Sequence, residues 1–136
     1  MKTQVPEKYV LEYIFIASPK LLYHYLSTAQ GLSEWFAEKV ELKDNVFQFY
    51  WGESEQKAII ESKKDNDHIR YKWIDGDYDT YFEFKIDADS VFSENTLIIT
   101  DFAFKVDIKE ATMVWDAAIK KMLRIIGGKL ISGSIV

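Results

Sequence analysis

The clearest pattern in the chain lies at residues 79–87. Thr80, Phe82, Phe84 and Ile86 alternate there with Asp79, Tyr81, Glu83, Lys85 and Asp87. Successive strand side chains point to opposite faces, so this alternation predicts a strand with one buried and one wet face. The same logic applies upstream. Residues 39–43 and 46–51 flank the hairpin signal Asp44-Asn45, with Phe47, Phe49 and Trp51 on one face and Gln48 on the other. Residues 55–64 and 68–74 flank Asp65-Asn66-Asp67, and Ile69, Tyr71 and Trp73 alternate with His68, Arg70 and Lys72. Asp75-Gly76 supplies the next turn, and residues 96–104 read as the last strand of the series. In this register Leu97 and Ile99 point inward and Asp101 follows them onto the same face; a one-residue slip would reverse that face.

The two ends of the chain read differently. Residues 9–17 are a β-rich run relieved only by Glu12, predicting a strand largely covered on both faces. Ser18-Pro19 then offers an N-cap and a first-turn proline for a short helix over 20–27. Thr28 caps a second over 29–36, weakened by Gly31. Near the other end, Asp107-Ile108-Lys109-Glu110 resembles a capping box with Asp in place of Ser or Thr. Ala111, Trp115, Ala118, Ile119, Met122 and Ile126 recur at helical spacing, Lys109, Asp116, Lys120 and Arg124 point elsewhere, and Gly127-Gly128 stops the helix. The order is strand, two short helices, about six more strands and one long helix. Hairpin-length connections make an antiparallel sheet of about seven strands. The terminal helix is the only long amphipathic element available to cover its apolar, concave face, so the class is α+β.

A length of 136 residues fits one domain with a real core, its termini (1–7 and 129–136) loose. No cysteine is present, which excludes disulfides and thiolate metal sites. No signal-peptide pattern and no apolar run of spanning length occurs, so a cytoplasmic location and no membrane span are expected. A net charge of −5 argues against nucleic-acid binding. The aromatic share of 15% changes the picture most. Trp35, Phe49, Trp51, Tyr71, Trp73, Phe82, Phe84 and Trp115 either line an apolar pocket or fill the core between helix and sheet, and the sequence leaves both open. With Ile99, Asp101, Ile119 and Met122 they form the candidate ligand-binding set.

Catalytic and metal chemistry find little support. His24 and His68 fall on different elements without partners at ligand spacing. Asp75-Gly76-Asp77-Tyr78-Asp79 begins like a calcium loop but has Thr80 where glycine is required and Ile86 where the bidentate glutamate belongs. There is no Gly-x-Ser-x-Gly and no phosphate loop, so neither cofactor nor metal is implied. Asp101 remains. Facing a cavity, its carboxyl would need a raised pKa or a hydrogen-bonding partner, with Tyr13, Tyr71 and Trp115 as candidates; at a strand end it would simply meet water.

Several segments together resemble the START-like (SRPBCC, helix-grip) superfamily, in particular the branch around the activator-of-heat-shock-ATPase homologues. They are Ala17-Ser18-Pro19, Gly31-Leu32-Ser33-Glu34-Trp35-Phe36, Tyr71-Lys72-Trp73, Thr96-Leu97-Ile98-Ile99-Thr100 and Trp115. The chain departs from the pattern at Val114, where relatives often carry glycine before the helix tryptophan. The resemblance implies a cavity between long helix and sheet, open near the short helices, in which members bind lipids, hormones or polyketides; some members are enzymes and some co-chaperones. Fold does not select among these. The leading expectation is non-catalytic binding of a small hydrophobic or lipid-like molecule. The alternative is a protein-interaction or co-chaperone-like module with a filled core, using the tail Leu130-Ile131 with Ile135-Val136 to meet a partner or a second copy. A third reading makes Asp101 the acid or base of a cavity enzyme.

Overall fold

In the computed structural model, which describes residues 4–88 and 94–135, the alternating runs pair into one eight-stranded antiparallel sheet. β1 (Glu7–Ile16) leads to α1 (Pro19–Ser27) and α2 (Ala29–Trp35). Then come β2 (Lys39–Lys43), β3 (Val46–Trp51), β4 (Ser54–Lys64), β5 (His68–Trp73), β6 (Tyr81–Ala88), β7 (Glu94–Ala103), α3 (Ile108–Ile126) and β8 (Lys129–Ile135). The strand order is β2-β3-β4-β5-β6-β7-β1-β8, so a meander runs from β2 to β7 and β1 returns beside β7. This is the α+β arrangement expected, with two short helices and one long one.

Local chemistry explains the joints. Asp44 and Asn45 both take positive φ, as a tight two-residue hairpin turn requires. The Ser18 and Thr28 hydroxyls accept the backbone N–H groups of Leu21 and Gly31 at 3.3 and 2.9 Å, capping α1 and α2. Gly31 is more than a weak point in α2. A Cβ there would lie 2.6 Å from the Tyr25 Cα, so only glycine lets the two short helices approach this closely. α3 ends on Gly127 in the left-handed conformation, whose N–H donates to the Leu123 carbonyl.

Four expectations are corrected. The tail at 129–135 is not loose but forms β8, antiparallel to β1 from Ile16↔Lys129 to Leu11↔Ile135, while residues 1–3 and Val136 lie outside the described residues. β1 would otherwise present a free edge of unpaired N–H and C=O groups, and the reversal after α3 delivers a partner to it. Second, β1 is not covered equally on both faces: Tyr9, Leu11, Tyr13 and Phe15 are buried, whereas Val10, Glu12 and Ile14 are half-buried. Third, the capping box does not form. A 3₁₀ turn over Lys105–Asp107 runs directly into α3, so Asp107 has helical dihedrals and its side chain makes no cap bond. Fourth, Asp116 does not turn away from the sheet but accepts a hydrogen bond from the Tyr13 hydroxyl.

The core is dominated by rings. Phe49, Tyr71, Phe82 and Phe84 are fully buried, with Tyr71 stacked on Phe82 at 4.8 Å. From α3, Trp115, Ile119, Met122 and Leu123 close over them. The polar ends of the rings are anchored. The Tyr71 hydroxyl donates to the Leu26 carbonyl at 2.7 Å, the Trp35 indole N–H to the Tyr25 carbonyl at 2.8 Å, and the Trp51 indole N–H to the Phe36 carbonyl at 2.9 Å. The Tyr71 and Trp51 bonds tie α1 and the segment after α2 to the sheet, and the Trp35 bond ties α2 to α1.

Candidate functional site

Beyond the ring-filled core, at the end of the sheet where α3 begins, the packing opens into a cavity of about 570 Å³. The turn between β5 and β6 contributes Asp75, Gly76, Asp77, Tyr78 and Thr80 to its wall. The end of β7 and the connection to α3 contribute Asp101, Phe102, Ala103, Phe104 and Asp107. The first turns of α3 contribute Ala111, Val114, Trp115 and Ala118. Phe36, Trp51, Gln56, Trp73, Tyr9 and Pro6 complete the wall.

The predicted set therefore divides. Trp51, Trp73, Asp101 and Trp115 line the cavity. Trp35, Phe49, Tyr71, Phe82, Phe84, Ile99, Ile119 and Met122 are buried in the core and do not. The space under the centre of α3 is occupied by those side chains, and the opening lies at one end of it. Asp75, Asp77, Tyr78, Phe36, Tyr9, Phe102, Phe104 and Val114 are lining residues that the strand pattern did not single out. The run Asp75-Gly76-Asp77-Tyr78-Asp79 reads as a solvated acidic turn and its residues are exposed, yet Asp75, Gly76, Asp77 and Tyr78 also form part of the cavity wall.

Asp101 organises the site. Tyr9 of β1 stands directly across from it in the ladder, and its hydroxyl donates to the Asp101 Oδ2 at 3.0 Å. The Trp115 indole N–H reaches the same Oδ2 at 3.0 Å and the Tyr9 oxygen at 3.1 Å. Of the expected partners Trp115 is found; Tyr13 bonds Asp116 and Tyr71 bonds the Leu26 carbonyl instead. One carboxyl oxygen thus joins β1, β7 and α3, and Tyr13–Asp116 adds a second link between β1 and α3.

Burial pushes the Asp101 pKa up, opposed in part by hydrogen bonds from the Phe102 backbone, Trp115 and Tyr9. Burial, with the neighbouring Asp101 charge, also raises the Tyr9 pKa, so that hydroxyl stays protonated and donating. An acid whose folded pKa is raised contributes stability that is fully present below its unfolded pKa and lost as pH rises through the folded value. Asp101→Asn keeps an acceptor for both donors and carries no charge. The variant is therefore expected to gain stability relative to the wild type as pH rises from acid to neutral, measured by urea unfolding across that range. A pH-independent difference would show that the Asp101 pKa is the same in the folded and unfolded states.

A sheet that packs against one long helix, with two short helices after the first strand, defines the helix-grip class of folds. The START-like superfamily domain model matches residues 4–128, and the chain belongs to that superfamily. Similar solved structures share its architecture at low identity. Protein BH1534 of Bacillus halodurans aligns with TM-score 0.74 and 15% identity over 92% of this chain and 99% of its own. Protein MLL2253 of Mesorhizobium loti gives 0.73 and 15% over 89% and 97%. The Aha1 dimer of Colwellia psychrerythraea gives 0.67 and 14% over 88% and 93%. No curated protein matches the chain. Among the described residues, no helix is long and apolar enough to cross a membrane.

Proposed function

We propose that this protein binds a small hydrophobic or lipid-like molecule, without turnover, in the cleft at the start of α3. The observation that carries this reading is the open cavity of about 570 Å³ walled by the rings of Trp51, Trp73 and Trp115. Its size falls within the roughly 300–1,000 Å³ of small-molecule sites. Membership of the START-like superfamily supports the reading, since ligand cavities between helix and sheet are what the resemblance implies. The non-catalytic part draws on Asp101, whose Oδ2 already accepts from the Tyr9 hydroxyl and the Trp115 indole N–H, and on a lining that holds no Ser, His or Lys among the described residues.

The test is a titration with the neutral fluorophore N-phenyl-1-naphthylamine. Saturable enhancement with energy transfer from tryptophan is expected, and Trp73→Ala should weaken it by about tenfold, the loss of one good ring contact. Ligand at about 100 times its dissociation constant should stabilise the fold by about 2.7 kcal/mol. Absence of saturable binding by this probe and by simple aliphatic alcohols would sink the reading.

A second reading has its own observation. Val106, Met113 and Val114 form an apolar rim at the start of α3 and are 77%, 64% and 65% exposed; Val114 also lines the cleft. An apolar rim of this kind favours contact with a protein partner or a second copy of the chain. Concentration-dependent mass in sedimentation, abolished by Met113→Asp, would support it; an unchanging monomer mass would leave no self-association to explain.

A further inference from the structure

The charge lining the cleft is of one sign. Asp75 and Asp77 stand on the β5–β6 turn, Asp107 precedes α3, and Asp101 lies on the wall against Trp115; no Lys, Arg or His lines the cavity among the described residues. None of these four carboxylates takes part in the ion pairs of the described residues. Lys72, the nearest cation of that turn in sequence, pairs instead with Asp79, outside the lining. The side-chain donors that reach Asp101 are neutral, the Tyr9 hydroxyl and the Trp115 indole N–H. The protein therefore desolvates a carboxyl group in a ring-walled cleft without supplying a positive partner for it.

Two independent features of that cleft discriminate between ligands in the same direction. Indole faces carry negative potential and attract cations, most strongly where water is excluded. Uncompensated carboxylates attract the same charge, repel anions and leave neutral ligands unaffected. We infer that the cleft is selective for a hydrophobic organic cation, an amine or quaternary ammonium group borne on an aliphatic or aromatic body. The cationic head sits by Trp115 and Asp101, and the carboxylates of the mouth draw it in. This rests on the ligand-binding reading above and narrows it to one charge class.

The test uses a decyl chain with different heads: decyltrimethylammonium, 1-decanol and decanoate, each below its micelle threshold, followed by tryptophan quenching and calorimetry on the full chain. The cation is expected to bind at least about tenfold more tightly than the alcohol, and decanoate more weakly than either. Asp101→Asn should narrow the preference for the cation over 1-decanol by about tenfold. The exposed Asp77→Asn, which places no demand on folding, should narrow that preference by about twofold. If 1-decanol or decanoate binds as tightly as the cation, charge selectivity is overturned while a hydrophobic cleft stands. If no decyl compound binds, the cleft reading fails together with this one.

Discussion

Phe84→Ala is expected to destabilise the protein by about 3–5 kcal/mol, the range for truncating a buried phenylalanine that leaves a cavity. Phe84 on β6 is fully buried, with ring centroids 5.6 Å from Phe82, 5.7 Å from Trp35 and 5.9 Å from Trp115. The size of the loss depends on whether those neighbours can collapse into the space, and two of the three are held by hydrogen bonds. Trp35 is bonded to the Tyr25 carbonyl, Trp115 to Asp101, and Tyr71, on the flank of Phe82, to the Leu26 carbonyl. Moving any of these rings inward would break a hydrogen bond worth about 1 kcal/mol net and leave a buried polar atom unpaired. Urea unfolding should show a lower midpoint at unchanged slope. Trp73, half-buried on the cleft wall, should cost less stability than Phe84 and more ligand affinity when truncated. A Phe84→Ala loss below about 1.5 kcal/mol would mean that the ring core repacks freely, and the division between filled core and open cleft would lose its basis.

That division marks the limit of what the sequence discloses. Phe82 and Phe84 announce their face through alternation with Glu83 and Lys85, and they are buried as the alternation requires. Asp101 follows Leu97 and Ile99 by parity along β7, so the sequence offered an inner-face carboxyl beside the alternative of a strand end in water. Its partner was less so. Tyr9, Tyr13 and Tyr71 are equivalent as local patterns, and only the pairing of β1 with β7 places Tyr9 across from Asp101, 92 residues away. The extent of the cavity was not legible at all. The same alternating aromatic pattern serves Phe49 and Trp51, neighbours on one face of β3, yet Phe49 is core and Trp51 meets the open space. What separates them is the path of the 75–80 turn and the connection into α3, which are set by tertiary packing and leave no period in the sequence.

Removal of the chain after Gly128 is the other change expected to have a large effect, a loss on the order of 3–5 kcal/mol from several ladder hydrogen bonds and the packing of Leu130. Ser132-Gly133-Ser134 gives this segment a low intrinsic strand preference, so its sequence reads as a tail. Yet it supplies the outer partner of β1, and Leu130 packs against the core. Without β8, β1 becomes the edge of the sheet and exposes a row of unpaired backbone groups suited to pairing with another chain. The truncated protein should therefore combine a lower unfolding midpoint with concentration-dependent association in sedimentation. The effect should also reach the cleft, because β1 carries Tyr9, which holds Asp101, and Tyr13, which holds Asp116 of α3. Loosening that strand frees both contacts and should weaken ligand binding, although β8 contributes nothing to the cleft lining. Wild-type stability with weakened binding would show that β8 supports the site without supporting the fold. Unchanged stability, mass and binding would show that β1 needs no outer partner, and that the strand pairing at 129–135 has no energetic consequence.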